Sequence, residues 1–94
     1  MDSLISPGCA ISGARVELSV LSPEVRIHSG ADVSQCVLME GVEVGHGVAL
    51  RKTIVCPGVR IPDGKRIGMD NRADRARYTV TRGGVTAVPS EYAW

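Results

Sequence analysis

Residues 21–67 can be written as rows of 17 residues in which the same kinds of side chain return to the same places. Leu21, Leu38 and Val55 share one column, and Val25, Val42 and Val59 a second. Ile27, Val44 and Ile61 share a third, and Val33, Leu50 and Ile67 a fourth, with Gly30, Gly47 and Gly64 between those two columns. Self-similarity at so short a period limits the architecture more than any local propensity does, because each row must be one unit of a stack.

Within a row the aliphatic anchors step by six, six and five residues, as from Leu21 to Ile27, Val33 and Leu38. A second small or branched residue stands two places before many of them, for example Val25, Ala31, Val42, Val48 and Val59. Apolar residues at i and i+2 with polar ones between follow the two-residue period of a strand. Each unit therefore reads as a very short strand followed by a corner. Ser29-Gly30, His46-Gly47, Pro57-Gly58 and Asp63-Gly64 supply the turn chemistry. Three strands and three corners close one triangular coil. Coils stacked about 4.8 Å apart give three parallel sheets around a narrow aliphatic core. The fold class expected is all-β, a single parallel β-helix of about four coils over residues 1–69, with residues 70–94 as a C-terminal cap and tail.

Composition agrees with a narrow prism. A chain of 94 residues with no Phe, one Trp and two Tyr has few of the bulky groups that fill a wide core. Cys9, Cys36 and Cys56 are an odd set without metal-ligand spacing and read as reduced thiols of a cytoplasmic protein. The start of the chain lacks the basic and apolar stretches of a signal peptide, and no segment is apolar for long enough to span a membrane. Formal net charge is +1, but residues 1–50 hold two Arg against six acids while residues 51–94 hold nine Lys or Arg against four.

The first coil follows the same pattern with one residue missing. Ile5 to Ile11 match Leu21 to Ile27, and Ser12-Gly13 then falls on Ser29-Gly30. Little precedes this coil, so its open cross-section is expected to be covered by another protein surface or by the rest of a longer chain, and failing those by another copy meeting it end to end. At the other end Asp70-Asn-Arg-Ala-Asp-Arg-Ala-Arg77 reads as a short helix, with Asp70 or Asn71 as its N-cap. Tyr78 to Val88 then reads as two strands about the Gly83-Gly84 turn. Pro89 to Trp94 reads as a tail in which Trp94 has no assignable role.

The tail and the coils together carry a family likeness. Asp2-Ser-Leu-Ile-Ser-Pro-Gly-Cys9, Val20-Leu-Ser-Pro23, Ile67-Gly-x-Asp70, Asp74-Arg75-x-Arg77-Tyr78 and Gly83-Gly84-Val85 occur in that order. The run resembles the C-terminal region of bacterial glucose-1-phosphate adenylyltransferase, a member of the hexapeptide-repeat superfamily. That resemblance implies a left-handed sense for the helix. It also implies a catalytic nucleotidyltransferase domain or subunit as partner, homo-oligomeric assembly and control by small anionic metabolites. The glycine-rich phosphate loop and metal-binding Asp pair of the family's catalytic domain have no counterpart in these residues. No cofactor, catalytic residue, metal site or nucleic-acid partner is therefore expected, and the chain is not expected to be active by itself. The reading this favours is a regulatory and assembly domain for ADP-glucose synthesis. The alternative is a small hexapeptide-repeat acyltransferase or binding protein acting as a homotrimer.

Three groups of side chains are candidates for chemistry. His28 and His46 lie one coil apart near corners, and acyltransferases of this superfamily commonly use a histidine as general base, although no coenzyme loop accompanies them here. Arg26, Glu43 and Arg60 share a column between inward positions and read as an outward charge ladder worth little in energy. Arg51, Lys52, Arg72, Arg75, Arg77 and Arg82, with Lys65 and Arg66 nearby, gather towards the capped end and suit an anionic effector.

Overall fold

The computed structural model describes residues 3–69, 71–90 and 92. Its strands are two or three residues long, as the spacing of the anchors requires. The first coil holds β1 (Leu4–Ile5), β2 (Ala10–Ile11) and β3 (Arg15–Glu17). The second holds β4 (Val20–Leu21), β5 (Arg26–Ile27) and β6 (Asp32–Ser34), and the third β7 (Val37–Leu38), β8 (Glu43–Val44) and β9 (Ala49–Arg51). The fourth holds β10 (Thr53–Val55), β11 (Arg60–Ile61) and β12 (Arg66–Ile67). Helix α1 (Asn71–Arg77) and strands β13 (Thr79–Val80) and β14 (Thr86–Val88) follow among the described residues.

Corresponding strands of successive coils pair in parallel and form three sheets. Sheet 1 runs β1-β4-β7-β10-β14-β13, sheet 2 is β2-β5-β8-β11 and sheet 3 is β3-β6-β9-β12. The registers Leu21↔Leu38, Ile27↔Val44 and Val33↔Leu50 are the columns of the sequence. The one-residue deficit of the first coil is equally visible. Ile11 pairs with Ile27, 16 residues on, whereas Val16 pairs with Val33, 17 on. Strand register absorbs nothing; the missing residue is lost at the corner between β2 and β3.

Alternation of side chains then decides what is buried. Leu21, Val25, Val33, Leu38, Val42, Val44, Leu50, Val55 and Ile67 are fully enclosed, since a coil lies below each and a further coil or the C-terminal cap above. In the first coil Ile5 remains 47 % exposed and Ile11 37 % exposed. A carboxylate placed among the enclosed residues would cost several kcal/mol without a partner.

The three corners solve the same problem differently. Between sheets 1 and 2 the left-handed position holds Gly8, Glu24, Gly41 and Gly58. Between sheets 2 and 3 it holds Gly13, Gly30, Gly47 and Gly64. Between sheets 3 and 1 it holds Leu18, Gln35 and Lys52, with φ of 50°, 54° and 49° and no glycine. The backbone amide of Gln35 there donates to Glu17 O (3.1 Å) and that of Lys52 to Ser34 O (3.1 Å). The next residue turns inward as a buried Ser19, Cys36 or Thr53. Ser19 Oγ donates to Glu17 O (2.8 Å) and accepts from the Cys36 amide (3.1 Å), while Thr53 Oγ1 donates to Arg51 O (2.9 Å). These bonds offset a conformational cost of about 1–2 kcal/mol per residue.

The cap continues the solenoid. Strand β14 pairs in parallel with β10 through Thr53↔Thr86 and in antiparallel fashion with β13. Asp74 in α1, 3 % exposed, ties these pieces together: its Oδ2 accepts from the Gly68 amide (2.8 Å) and lies 3.5 Å from Thr86 Oγ1. The rings of Tyr78 and Tyr92 stand 4.8 Å apart, and burial pushes the Tyr78 hydroxyl up to about 12. The proposed helix cap Asp70 and the tail residue Trp94 lie outside the described residues.

Candidate functional site

The outer faces of sheets 2 and 3 carry the charged side chains. On sheet 2, Arg26, Glu43 and Arg60 stand in consecutive register, as the sequence predicts for a ladder. Glu43 does more than alternate with arginines. Its Oε2 accepts from His28 Nε2 at 2.8 Å, while Oε1 lies 3.4 Å from Arg60 Nε. The His28 hydrogen bond, ahead of the nearby guanidinium charge, holds the Glu43 carboxyl below its ordinary range. An open hollow of about 570 Å³ runs along this face over Arg26, Glu43, Arg60 and the corner residues Gly8, Glu24 and Gly41.

At the corner between sheets 2 and 3, His28 and His46 stack with ring centroids 4.8 Å apart. His46 Nδ1 is 3.1 Å from Ser29 Oγ, and the backbone amide of His46 donates to Asp63 Oδ1 at 2.8 Å. Ser29, His46 and Asp63 thus include the residue types of an acyl-transfer triad in the wrong arrangement. A triad carboxylate orients the imidazole ring; Asp63 instead satisfies the His46 backbone. Gly45 explains the close fit, since a Cβ there would strike the Asp63 carboxylate and Ile61 O. The hollow beside the pair, about 350 Å³, is lined by His28, Glu43, His46, Arg60, Pro62 and Asp63. Among the described residues no group of three or more His, Cys, Asp or Glu is arranged to hold a metal ion.

The predicted basic group divides in two. Arg51 ends β9, and Lys52 occupies the non-glycine corner that follows. Both line a polar hollow of about 200 Å³ with Gly68, Met69 and the Gly83–Gly84 turn. Arg82 immediately precedes that turn and is exposed. Arg72, Arg75 and Arg77 lie on α1 with exposed side chains and do not line the hollow. Sequence reasoning missed the Glu43–His28 bond, because a contact between neighbouring columns depends on side-chain direction rather than spacing. It also missed the burial of Asp74, for which the signal was an acid inside an otherwise arginine-rich helix.

Strands of two or three residues, stacked in parallel as successive coils of three, define the class of hexapeptide-repeat solenoids. The chain belongs to the family described as GlmU-like, C-terminal hexapeptide, whose model matches residues 1–88. Among curated proteins it is 46% identical over 87 residues to a glucose-1-phosphate adenylyltransferase of Methylobacillus flagellatus, covering 93% of this chain and 20% of the relative. The relative of the same name from Koribacter versatilis is 41% identical over 93 residues, which cover 99% of this chain and 22% of that protein. A third, from Frankia casuarinae, is 46% identical over 89 residues, covering 94% and 22%. The chain therefore spans about one-fifth of the length of the relatives it matches.

Proposed function

We propose that this chain is the regulatory and assembly module of a glucose-1-phosphate adenylyltransferase, working beside a nucleotidyltransferase region that makes ADP-glucose. One observation carries the reading: matches at 46% and 41% identity cover 93% and 99% of this chain but only about one-fifth of each relative, and the family model that fits residues 1–88 is that of a C-terminal hexapeptide part. The module itself supplies no catalytic residue. The cytoplasm is its compartment, where Cys9, Cys36 and Cys56 stay free thiols.

Control in this reading comes from an anionic metabolite seated at the capped end. Arg51 and Lys52 converge on a polar notch, with Arg82 beside the Gly83–Gly84 turn, and a bound phosphate or carboxylate would there meet fixed positive charge. Arg72, Arg75 and Arg77 on α1 add to the field that draws the anion in.

The test uses the nucleotidyltransferase region of the Methylobacillus flagellatus relative, produced without its own hexapeptide part and mixed with this chain. The two should bind, the chain alone should form no ADP-glucose, and phosphorylated sugars should change the rate of the mixture. Arg51→Gln with Lys52→Gln should remove that response while leaving binding intact. ADP-glucose formation by the chain alone, or acetyl transfer abolished by His28→Ala or His46→Ala, would overturn the reading.

A further inference from the structure

The three outer faces of the prism differ in kind. In register, sheet 2 presents Ala10, Arg26, Glu43 and Arg60, and sheet 3 presents Arg15, Asp32, Ala49 and Arg66. Sheet 1 presents Leu4, Val20, Val37, Ile54 and Ala87 in one unbroken row. Leu4 is 72 % exposed and Val20 41 % exposed, with Leu18 at the adjoining corner 55 % exposed. The parallel row nearer the next corner is Ser6, Ser22, Met39 and Cys56, all half-buried. No charged side chain stands in either row among the described residues.

We infer that the outer face of sheet 1 is a docking surface for the same face of a second copy of this chain, the two prisms lying side by side. The inference rests on the assembly half of the proposed function and gives it a location. Six strands about 4.8 Å apart make a face roughly 24 Å long, and a prism side is about 17 Å wide. Pairing two such flat faces buries roughly 800 Å² in total, the area of a weak, reversible dimer rather than a permanent one. A flat aliphatic row packs on its own image at the spacing of stacked sheets, whereas the charged ladders of sheets 2 and 3 would have to shift register to avoid like charges.

Charge also selects the orientation. One edge of the sheet 1 face carries Glu24 and Glu40, and the opposite edge carries Leu18, Gln35 and Lys52. A two-fold axis across the prism would set the acidic edge against itself. A two-fold axis along the prism sets it against the partner's uncharged and basic edge. Gln35 and Glu40 flank the same strand, β7, so in this arrangement Gln35 of one copy is level with Glu40 of the other.

Sedimentation velocity of the full chain over a wide concentration range tests this. A reversible dimer is expected, weakened roughly tenfold or more by Val20→Lys and by Val37→Lys. Val20→Thr, which keeps the shape, serves if a lysine prevents folding, and circular dichroism checks each variant. Gln35→Lys should tighten the dimer and Gln35→Glu loosen it, both effects shrinking with added salt, while Ile5→Lys in the open end of the first coil should leave it unchanged. A chain monomeric throughout overturns the inference, as does a dimer lost with Ile5→Lys but indifferent to Val20→Lys and Val37→Lys. If a monomeric chain binds the nucleotidyltransferase region through this row, the proposed function stands and the self-docking surface falls.

Discussion

Two of the three corners face the same backbone demand and meet it in opposite ways. The corner between sheets 2 and 3 uses Gly13, Gly30, Gly47 and Gly64 at positive φ, and its polar ladder of Ser29, His46 and Asp63 faces outward. The corner between sheets 3 and 1 uses Leu18, Gln35 and Lys52 at positive φ, and its ladder of Ser19, Cys36 and Thr53 points into the prism. A Cβ at Gly47 or Gly64 would meet nothing within 4 Å, so glycine is there for its φ alone. Where hydrogen bonds from buried hydroxyls hold the turn, glycine can be dispensed with. The position is then free to carry a side chain such as Lys52 to the surface.

Substitutions at the two corners and at the closure beyond them can break this contrast. Gly68, with φ of 89°, combines the left-handed requirement with backbone contact, since a Cβ would land on the Arg51 carbonyl. Gly68→Ala should therefore cost about 3 kcal/mol or more, and loss of the cap should show as a lowered melting temperature with faster amide exchange at Thr86. Next comes Ser19→Ala, which leaves the Cys36 amide unpaired inside the prism; thermal or urea denaturation should show a loss of about 1–3 kcal/mol. Gly47→Ala, with room for the methyl group, should cost only about 1 kcal/mol from φ. A Gly47→Ala effect larger than that of Ser19→Ala would reverse the roles assigned to the two ladders.

The remaining two effects are smaller and sharpen the comparison. The depressed Glu43 carboxyl contributes stability above its unfolded pKa, and that contribution is lost as pH falls through the lower folded value. Melting temperature should thus drop more steeply on acidification in the parent than in His28→Gln, which removes the first cause of the depression. Lys52→Gly should raise stability by a few tenths of a kcal/mol, strain relieved at φ 49° being partly cancelled by the added freedom of the unfolded chain. Differential scanning calorimetry at one pH would detect it.

The sequence disclosed most of this architecture, and physical reasons separate what it disclosed from what it withheld. Inward columns such as Ile27, Val44 and Ile61 are legible because burial admits only aliphatic side chains at a fixed period. Glycine corners are legible because few other residues take their φ. The Leu18, Gln35 and Lys52 corner has no such mark; its determinants are the inward hydroxyls and thiol one residue later, which resemble ordinary polar residues in a list of letters. The partners of His28 and Asp74 were hidden for a related reason. Both are fixed by side-chain reach between coils, whereas the arginines of α1 and the Arg51–Lys52 pair were visible as charge and only their division required coordinates.

The first coil lost a residue between β2 and β3, yet strands on both sides kept their partners. A site that absorbs a deletion without shifting the neighbouring ladder is a splice point. The residues that later coils place there, His28 among them, are ornaments hung on a closed frame. A peptide grafted after Ser12 should be displayed on the prism wall without unthreading it, and further coils could be copied into the stack at the same seam. In this protein the unit of change is the corner, and a lineage could rewrite one corner at a time while the three walls go on being built from the same aliphatic letters.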